Sequence, residues 1–207
     1  MFNELISRYP SLSTCAEQIK AADSVIIDTY ENGGKLMVCG NGGSCADSEH
    51  IVGELMKGFL SLRPLDDVYK SELKAINPEL DDDMLSKLQG ALPAIALTGH
   101  DGLSTAFLND VDPSLTFAQQ LFGLGNCGDV FVGITTSGNS ENVCKAAQLA
   151  KALGIKVIGL TGAKGGKLKE IADVCVCVPE TETFKVQELH LPIYHYLCAS
   201  AEKHFFG

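Results

Sequence analysis

The chain has 207 residues, 45% hydrophobic and 20% charged, which suits one domain with a real core and carries no signature of disorder. Lys and Arg number 16 against 26 Asp and Glu, a formal net charge of -10, and this argues against nucleic acid or an anionic membrane as partner, since both require a cationic face. No apolar run approaches the ~20 residues of a membrane span, and the opening MFNELISRYP brings acidic and polar groups too early for a signal peptide.

The first 32 residues read as helical, broken at Pro10 and restarting after Ser11 or Ser13 as an N-cap. Ile19, Ala22, Val25 and Ile26 share one side of that second helix. Asn32-Gly33-Gly34 ends it, 35–39 (KLMVC) is a short apolar strand, Gly40 to Ser44 is a tight turn, and 46–57 is a helix leaving the turn. Residues 60–92 are polar and acidic with weak helical patterns over 66–76 and 82–88, an insertion between core elements. Strands follow at 94–98, 129–134, 156–160 and 174–178, with helices at 141–153 and 183–204. Short, continuously apolar strands separated by helices mark a parallel sheet buried on both faces. The expected fold is a single α/β domain over 1–207, a doubly wound five-stranded parallel sheet flanked by helices, with the 60–92 insertion inside it. The eight cysteines are scattered, without a CxxC pair, and read as reduced, buried small hydrophobes of a cytoplasmic protein.

In such sheets ligands bind at the carboxyl ends of the strands. Two turns there have the makings of anion sites. In the first, Asn41-Gly42-Gly43-Ser44, glycines let backbone N–H groups at a helix N-terminus approach a ligand. It is not GxGxxG, and no acidic ribose-binding residue follows at the proper spacing, so a dinucleotide site is disfavoured. The second, Thr135-Thr136-Ser137-Gly138-Asn139-Ser140, sets four hydroxyls ahead of a helix. Hydroxyls and backbone N–H groups can satisfy a phosphate without lysine or arginine. Helix capping accounts for Ser140 but not for Thr135, Thr136 and Ser137 together.

The pair GNGGS and TTSGNSENV resembles the sugar isomerase (SIS) family of phosphosugar-binding domains, most of all its phosphoheptose isomerases, over nearly all the chain except 60–92. The serine turn alone implies phosphosugar binding and not catalysis. His50 and Glu54, spaced i and i+4, share one helix face, and Gln187 and His195, eight apart, share a side of the last helix. Alone, a His–Glu pair is ordinarily a surface pair. Together, two imidazoles, a carboxylate and an amide oxygen form a divalent-metal set, zinc being typical.

The resemblance implies that His50, Glu54, Gln187 and His195 hold one Zn2+ or similar ion and that Glu54 and His195 are the acid–base pair. It implies substrate contacts at Asn41, Gly42, Gly43, Ser44, Thr135, Thr136, Ser137, Ser140 and Gln187, and at Asn109 and Asp110, which serve equally well as an ordinary helix end. The implied reaction converts sedoheptulose 7-phosphate to D-glycero-D-manno-heptose 7-phosphate, a precursor of heptose in surface polysaccharides such as lipopolysaccharide. The implied assembly is a homotetramer with sites between subunits. Glu188 and His190 read as structural, and His100 and His204 have no assignment. Two departures stand out: Phe184 lies three residues before Gln187, where the family often has an acidic contact, and Pro192 lies inside the last helix, where it removes a hydrogen bond. Two other readings stay open: a non-catalytic SIS regulator or adaptor of the kind that associates with the replication initiator, and an isomerase of another phosphosugar.

Overall fold

The computed structural model describes all residues, Met1–Gly207. Helices α1 (Phe2–Arg8) and α2 (Ala16–Glu31) flank a 3-10 turn over Pro10–Cys15. Pro10 sits in the first turn of that segment, where its missing N–H leaves nothing unpaired. The Ser13 hydroxyl donates back to the Pro10 carbonyl at 2.7 Å, and α2 begins without a side-chain cap. The capping role expected for Ser11 or Ser13 is therefore not taken up.

The order continues as β1 (Leu36–Gly40), α3 (Gly43–Met56), α4 (Asp67–Ile76), α5 (Asp82–Lys87), β2 (Ala94–Ala96), α6 (Asp101–Asp110) and α7 (Thr116–Leu124). Then come β3 (Val130–Ile134), α8 (Glu141–Ala152), β4 (Lys156–Thr161), α9 (Gly166–Ile171), β5 (Val174–Cys177) and α10 (Thr183–Phe206). The five strands form one parallel sheet in the order β2-β1-β3-β4-β5, as the apolar runs predict. Every residue of β1 and β3 is buried, because both faces are covered.

Alternation along the strands separates the two covering layers. Leu36, Val38, Val130 and Val132 join a core with Ile19 and Ile26 of α2, Ile51 and Leu55 of α3, and Ile193 and Leu197 of α10. Met37, Cys39, Phe131 and Val157 join the opposite core with Leu121 of α7 and Ala146 and Ala150 of α8. Helices α3 and α10 thus lie side by side on one face. Helix α10 runs on through Pro192, which is buried.

The chain passes from β1 outward to β2 and then back across β1 to β3, so the winding reverses between the adjacent strands β1 and β3. Gly40 and Ile134, the last residues of those strands, are register partners. The two glycine- and hydroxyl-rich turns therefore leave the sheet side by side at its topological switch point, the crevice where open α/β sheets take their ligands.

Segment 60–92 holds the two short helices α4 and α5, capped by Asp66 through the Tyr69 N–H and by Asp81 through the Asp83 and Met84 N–H groups. No residue of α4 is buried. A bridge between Pro64 and Gln89 joins the ends of the segment, and Leu85 of α5 is buried.

Candidate active site

Helix α3 starts at Gly43, inside the first turn and three residues earlier than the sequence pattern predicts. Gly42, with φ +57°, provides the left-handed residue the tight entry needs. Its neighbour matters for another reason: a Cβ on Gly43 would collide with the Gln187 side-chain amide. The missing side chain is what lets α10 lay Gln187 against the start of α3. Across the switch point, Asn41 and Asn142 exchange two amide hydrogen bonds, each 2.9 Å, and lock the first turn to the first turn of α8. Ser44 is buried and Asn41 is exposed.

The second turn is built as a hydroxyl cluster. Thr135 is buried, and its Oγ1 lies 2.8 Å from Ser140 Oγ and 3.5 Å from Ser137 Oγ. Ser140 stands at the N-cap position of α8 yet makes no side-chain cap hydrogen bond. Its hydroxyl is turned toward Thr135 instead, which sets aside the simple capping account of that residue. Gly138 has φ +70°, and a Cβ there would strike the Gly165 carbonyl. The loop before α9 is thereby held against the turn, with Leu168 N donating to Gly138 O at 2.9 Å. Thr136, Ser137 and Asn139 line a pocket with Gly162, Lys164, Glu180 and Thr181. Lys164 is a cation at this site that the sequence pattern did not single out.

The third cluster lies between α3 and α10. His50 Nε2 is 3.2 Å from Glu54 Oε1, one helical turn apart as the i, i+4 spacing predicts. The His50 and His195 rings meet edge to face with centroids 5.0 Å apart, and Phe59 packs on His195 at 5.6 Å. Glu54 Oε2 and His195 Nε2 are both buried without a hydrogen-bond partner. Burial, reinforced by His50, pushes the His195 pKa below the ordinary histidine value against the opposing pull of Glu54. At neutral pH this favours the uncharged imidazole. No three His, Cys, Asp or Glu side chains gather into a metal-holding cluster. The donor types nevertheless fit a zinc-class ion, because a carboxylate oxygen and an imidazole nitrogen are left buried without a hydrogen bond, the carboxylate having only the Lys57 ammonium at 3.5 Å.

Sequence spacing missed the groups behind these residues. The His50 Nδ1 meets the Tyr194 hydroxyl at 3.1 Å, and that hydroxyl donates to Asp47 Oδ1 at 3.1 Å. Arg63, at φ +46°, donates to the Leu55 and Glu54 carbonyls at 2.7 and 3.0 Å. Only the three-dimensional meeting of α3, α10 and the 59–63 loop brings them in. Asn109 and Asp110 are not drawn into the cluster: they sit exposed at the end of α6, hydrogen-bonded to each other at 2.9 Å. Phe184 is exposed, and Glu182 is paired with Lys185 at 2.5 Å. His100 and His204 have structural partners, Gln120 at 2.7 Å and Glu31 at 2.8 Å. His190 is fully buried, and burial lowers its pKa to about 4.

The chain matches the SIS domain over residues 2–73 and 86–162. It is 34% identical to a phosphoheptose isomerase of Akkermansia muciniphila, over 98% of this chain and 94% of that one. It is 38% identical to the phosphoheptose isomerase of Helicobacter pylori strain P12, over 94% and 88%. Among solved structures, the phosphoheptose isomerase of Francisella tularensis superposes with a TM-score of 0.78 at 32% identity, covering 98% of this chain and 94% of that one. That of Neisseria gonorrhoeae gives 0.76 at 32%, covering 98% and 95%.

Proposed function

The chain belongs to the phosphoheptose isomerase family of SIS-domain proteins, and from that premise we propose that it interconverts sedoheptulose 7-phosphate and D-glycero-D-manno-heptose 7-phosphate. One observation carries the reading: Glu54 Oε2, which accepts no hydrogen bond and has only the Lys57 ammonium at 3.5 Å, and an unpartnered imidazole nitrogen on His195 are both buried atoms of one cluster. A ketose–aldose exchange requires a base to take a proton from the carbon beside the carbonyl and an acid to serve the oxygen. Glu54 is the base in this account. The neutral His195 exchanges the hydroxyl proton as the carbonyl moves from one carbon to the next, and the proton on Glu54 returns to the neighbouring carbon.

The phosphate belongs on the Thr135–Ser140 turn, whose hydroxyls cluster within hydrogen-bond reach of one another and whose helix N-terminus supplies N–H groups. Asn41, Gly42, Gly43, Ser44 and Gln187 face the sugar in this proposal, with Asn109 and Asp110 engaged only if the end of α6 turns inward. His50, Glu54, Gln187 and His195 would hold a divalent cation such as Zn2+. That ion would supply positive charge against the substrate oxygen on which charge builds. The account places the enzyme in the cytoplasm as a homotetramer, supported by eight free cysteines and by exposed apolar residues on several helices, Leu108 of α6 and Phe122 of α7 among them.

A phosphosugar regulator would need the hydroxyl turn alone and gives no role to the half-buried Glu54 and His195. Incubation with sedoheptulose 7-phosphate, with and without chelator, tests the proposal. Product in the metal-replete sample and its loss on chelation is the expected result. A metal-replete protein that binds the sugar and leaves it unchanged would favour the regulator.

A further inference from the structure

Tyr194 is 2% exposed and stands between Asp47 of α3 and His50, one turn further along the same helix. A phenol has one hydrogen, and an ionised carboxylate only accepts. The Tyr194 hydroxyl therefore gives its hydrogen to Asp47 Oδ1 at 3.1 Å. What it presents to His50 Nδ1, also at 3.1 Å, is a lone pair. His50 Nδ1 must then carry a hydrogen, whether the ring is neutral or charged.

We propose that Tyr194, oriented by Asp47, is a positioning residue that fixes the tautomer of His50 and keeps the Nε2 lone pair aimed at Glu54. This rests on the ligand role given to His50 above. The consequence is visible in the distances: a neutral His50 sets a lone pair 3.2 Å from Glu54 Oε1, which also only accepts. Two acceptors face each other there, and the contact is favourable only with a proton or a cation between them. A histidine free to choose would turn an N–H toward the carboxylate and satisfy it. Asp47 and Tyr194 forbid that choice, so the pair stays open to a metal ion, in the way that outer hydrogen bonds generally orient ligating histidines.

Nitrogen-15 NMR of the metal-free full chain at pH 8 reads which ring nitrogen of His50 carries the hydrogen, and a Zn2+ titration against a competing chelator reads affinity. The native protein is expected in the Nδ1–H form. Tyr194→Phe keeps the ring and the packing and should give mixed tautomers. Asp47→Ala frees the phenol hydrogen to turn toward His50 and should move it to the Nε2–H form. Both variants should fold and bind Zn2+ roughly 10–100-fold more weakly, with a lower thermal midpoint in Tyr194→Phe, which strips the Asp47 carboxylate of its one donor. A native His50 in the Nε2–H form, or native tautomer and Zn2+ affinity in both variants, overturns the assignment. The sugar assay is independent: a protein with the expected tautomers and no isomerase activity would retain this inference and lose the proposed function.

Discussion

Arg63 and Glu202 form an ion pair, Nε to Oε1 at 2.7 Å, with side chains 0% and 4% exposed. The carboxylate also accepts from the Phe59 and Leu60 N–H groups at 2.8 and 2.7 Å, while Arg63 closes the carbonyls at the end of α3. This pair ties α3, which carries Glu54, to α10, which carries His195. Removing one partner leaves the other charged and buried. Glu202→Ala should therefore lower stability by about 3–5 kcal/mol, read from urea unfolding, and the loss should far exceed that of Glu17→Ala, whose pair with Lys20 is exposed.

Acid should weaken the fold in two stages. His190, fully buried, has its pKa lowered to about 4 by burial, against the opposing pull of the Thr161 backbone, whereas the unfolded chain takes up that proton near pH 6.5. Between those values the unfolded state holds more protons, so stability rises with pH and is lost as pH falls from about 6.5 to about 4. For Glu202, burial alone would raise the pKa, but the Phe59 and Leu60 amides and the Arg63 guanidinium outweigh it and hold the carboxyl below its ordinary value. Its contribution is present above the unfolded pKa of about 4.3 and goes as pH falls through the lower folded value. Urea midpoints taken from pH 7 to pH 5 should drop in the native chain and drop less in His190→Asn, where His195, also lowered by burial, keeps the remaining slope.

Thr135→Val keeps the shape of the turn and deletes the hydroxyl that meets Ser140. Loss of one hydrogen bond to a charged phosphate is worth roughly 1.5–3 kcal/mol, so KM for the sugar phosphate should rise about 10- to 100-fold. The unfolding midpoint should move little. An unchanged KM would remove Thr135 from the phosphate site.

Gly43→Ala tests whether Gln187 needs its present place. The new methyl meets the far end of a flexible side chain, so the fold tolerates it while the amide is driven away. A displacement of this size near the reacting atoms should cost about 100-fold in kcat. Restoring activity with the shorter Gln187→Asn on the Gly43→Ala background would support the steric reading.

Much of this was legible from the residues. Apolar runs such as 130–134 disclose buried parallel strands because both faces are covered, and the weak helical patterns over 66–76 and 82–88 correspond to α4 and α5. The i, i+4 spacing of His50 and Glu54 predicts their contact, since helix geometry alone decides it. Helices α6, α7 and α9 lie in stretches where the sequence pattern gave no element, among them the 162–173 loop that Gly138 holds in place. Asp47, Arg63 and Tyr194, and the role of Asn142 within the quoted TTSGNSENV motif, escape the sequence for a different reason. Each acts through a partner brought close only by packing, as Asn41 and Asn142 are across the switch point. Asn109 and Asp110 show the converse: a motif match carried them toward the site, and the end of α6 holds them on each other.

The most direct measurement follows deuterium. Sedoheptulose 7-phosphate incubated with metal-replete protein in deuterated water should return aldose labelled at the carbon beside the carbonyl, because Glu54, as the proposed base, would exchange with solvent between removing a proton and returning it. Glu54→Gln should bind the sugar, give no product and give no label. Product and label at the native rate from Glu54→Gln would contradict the account.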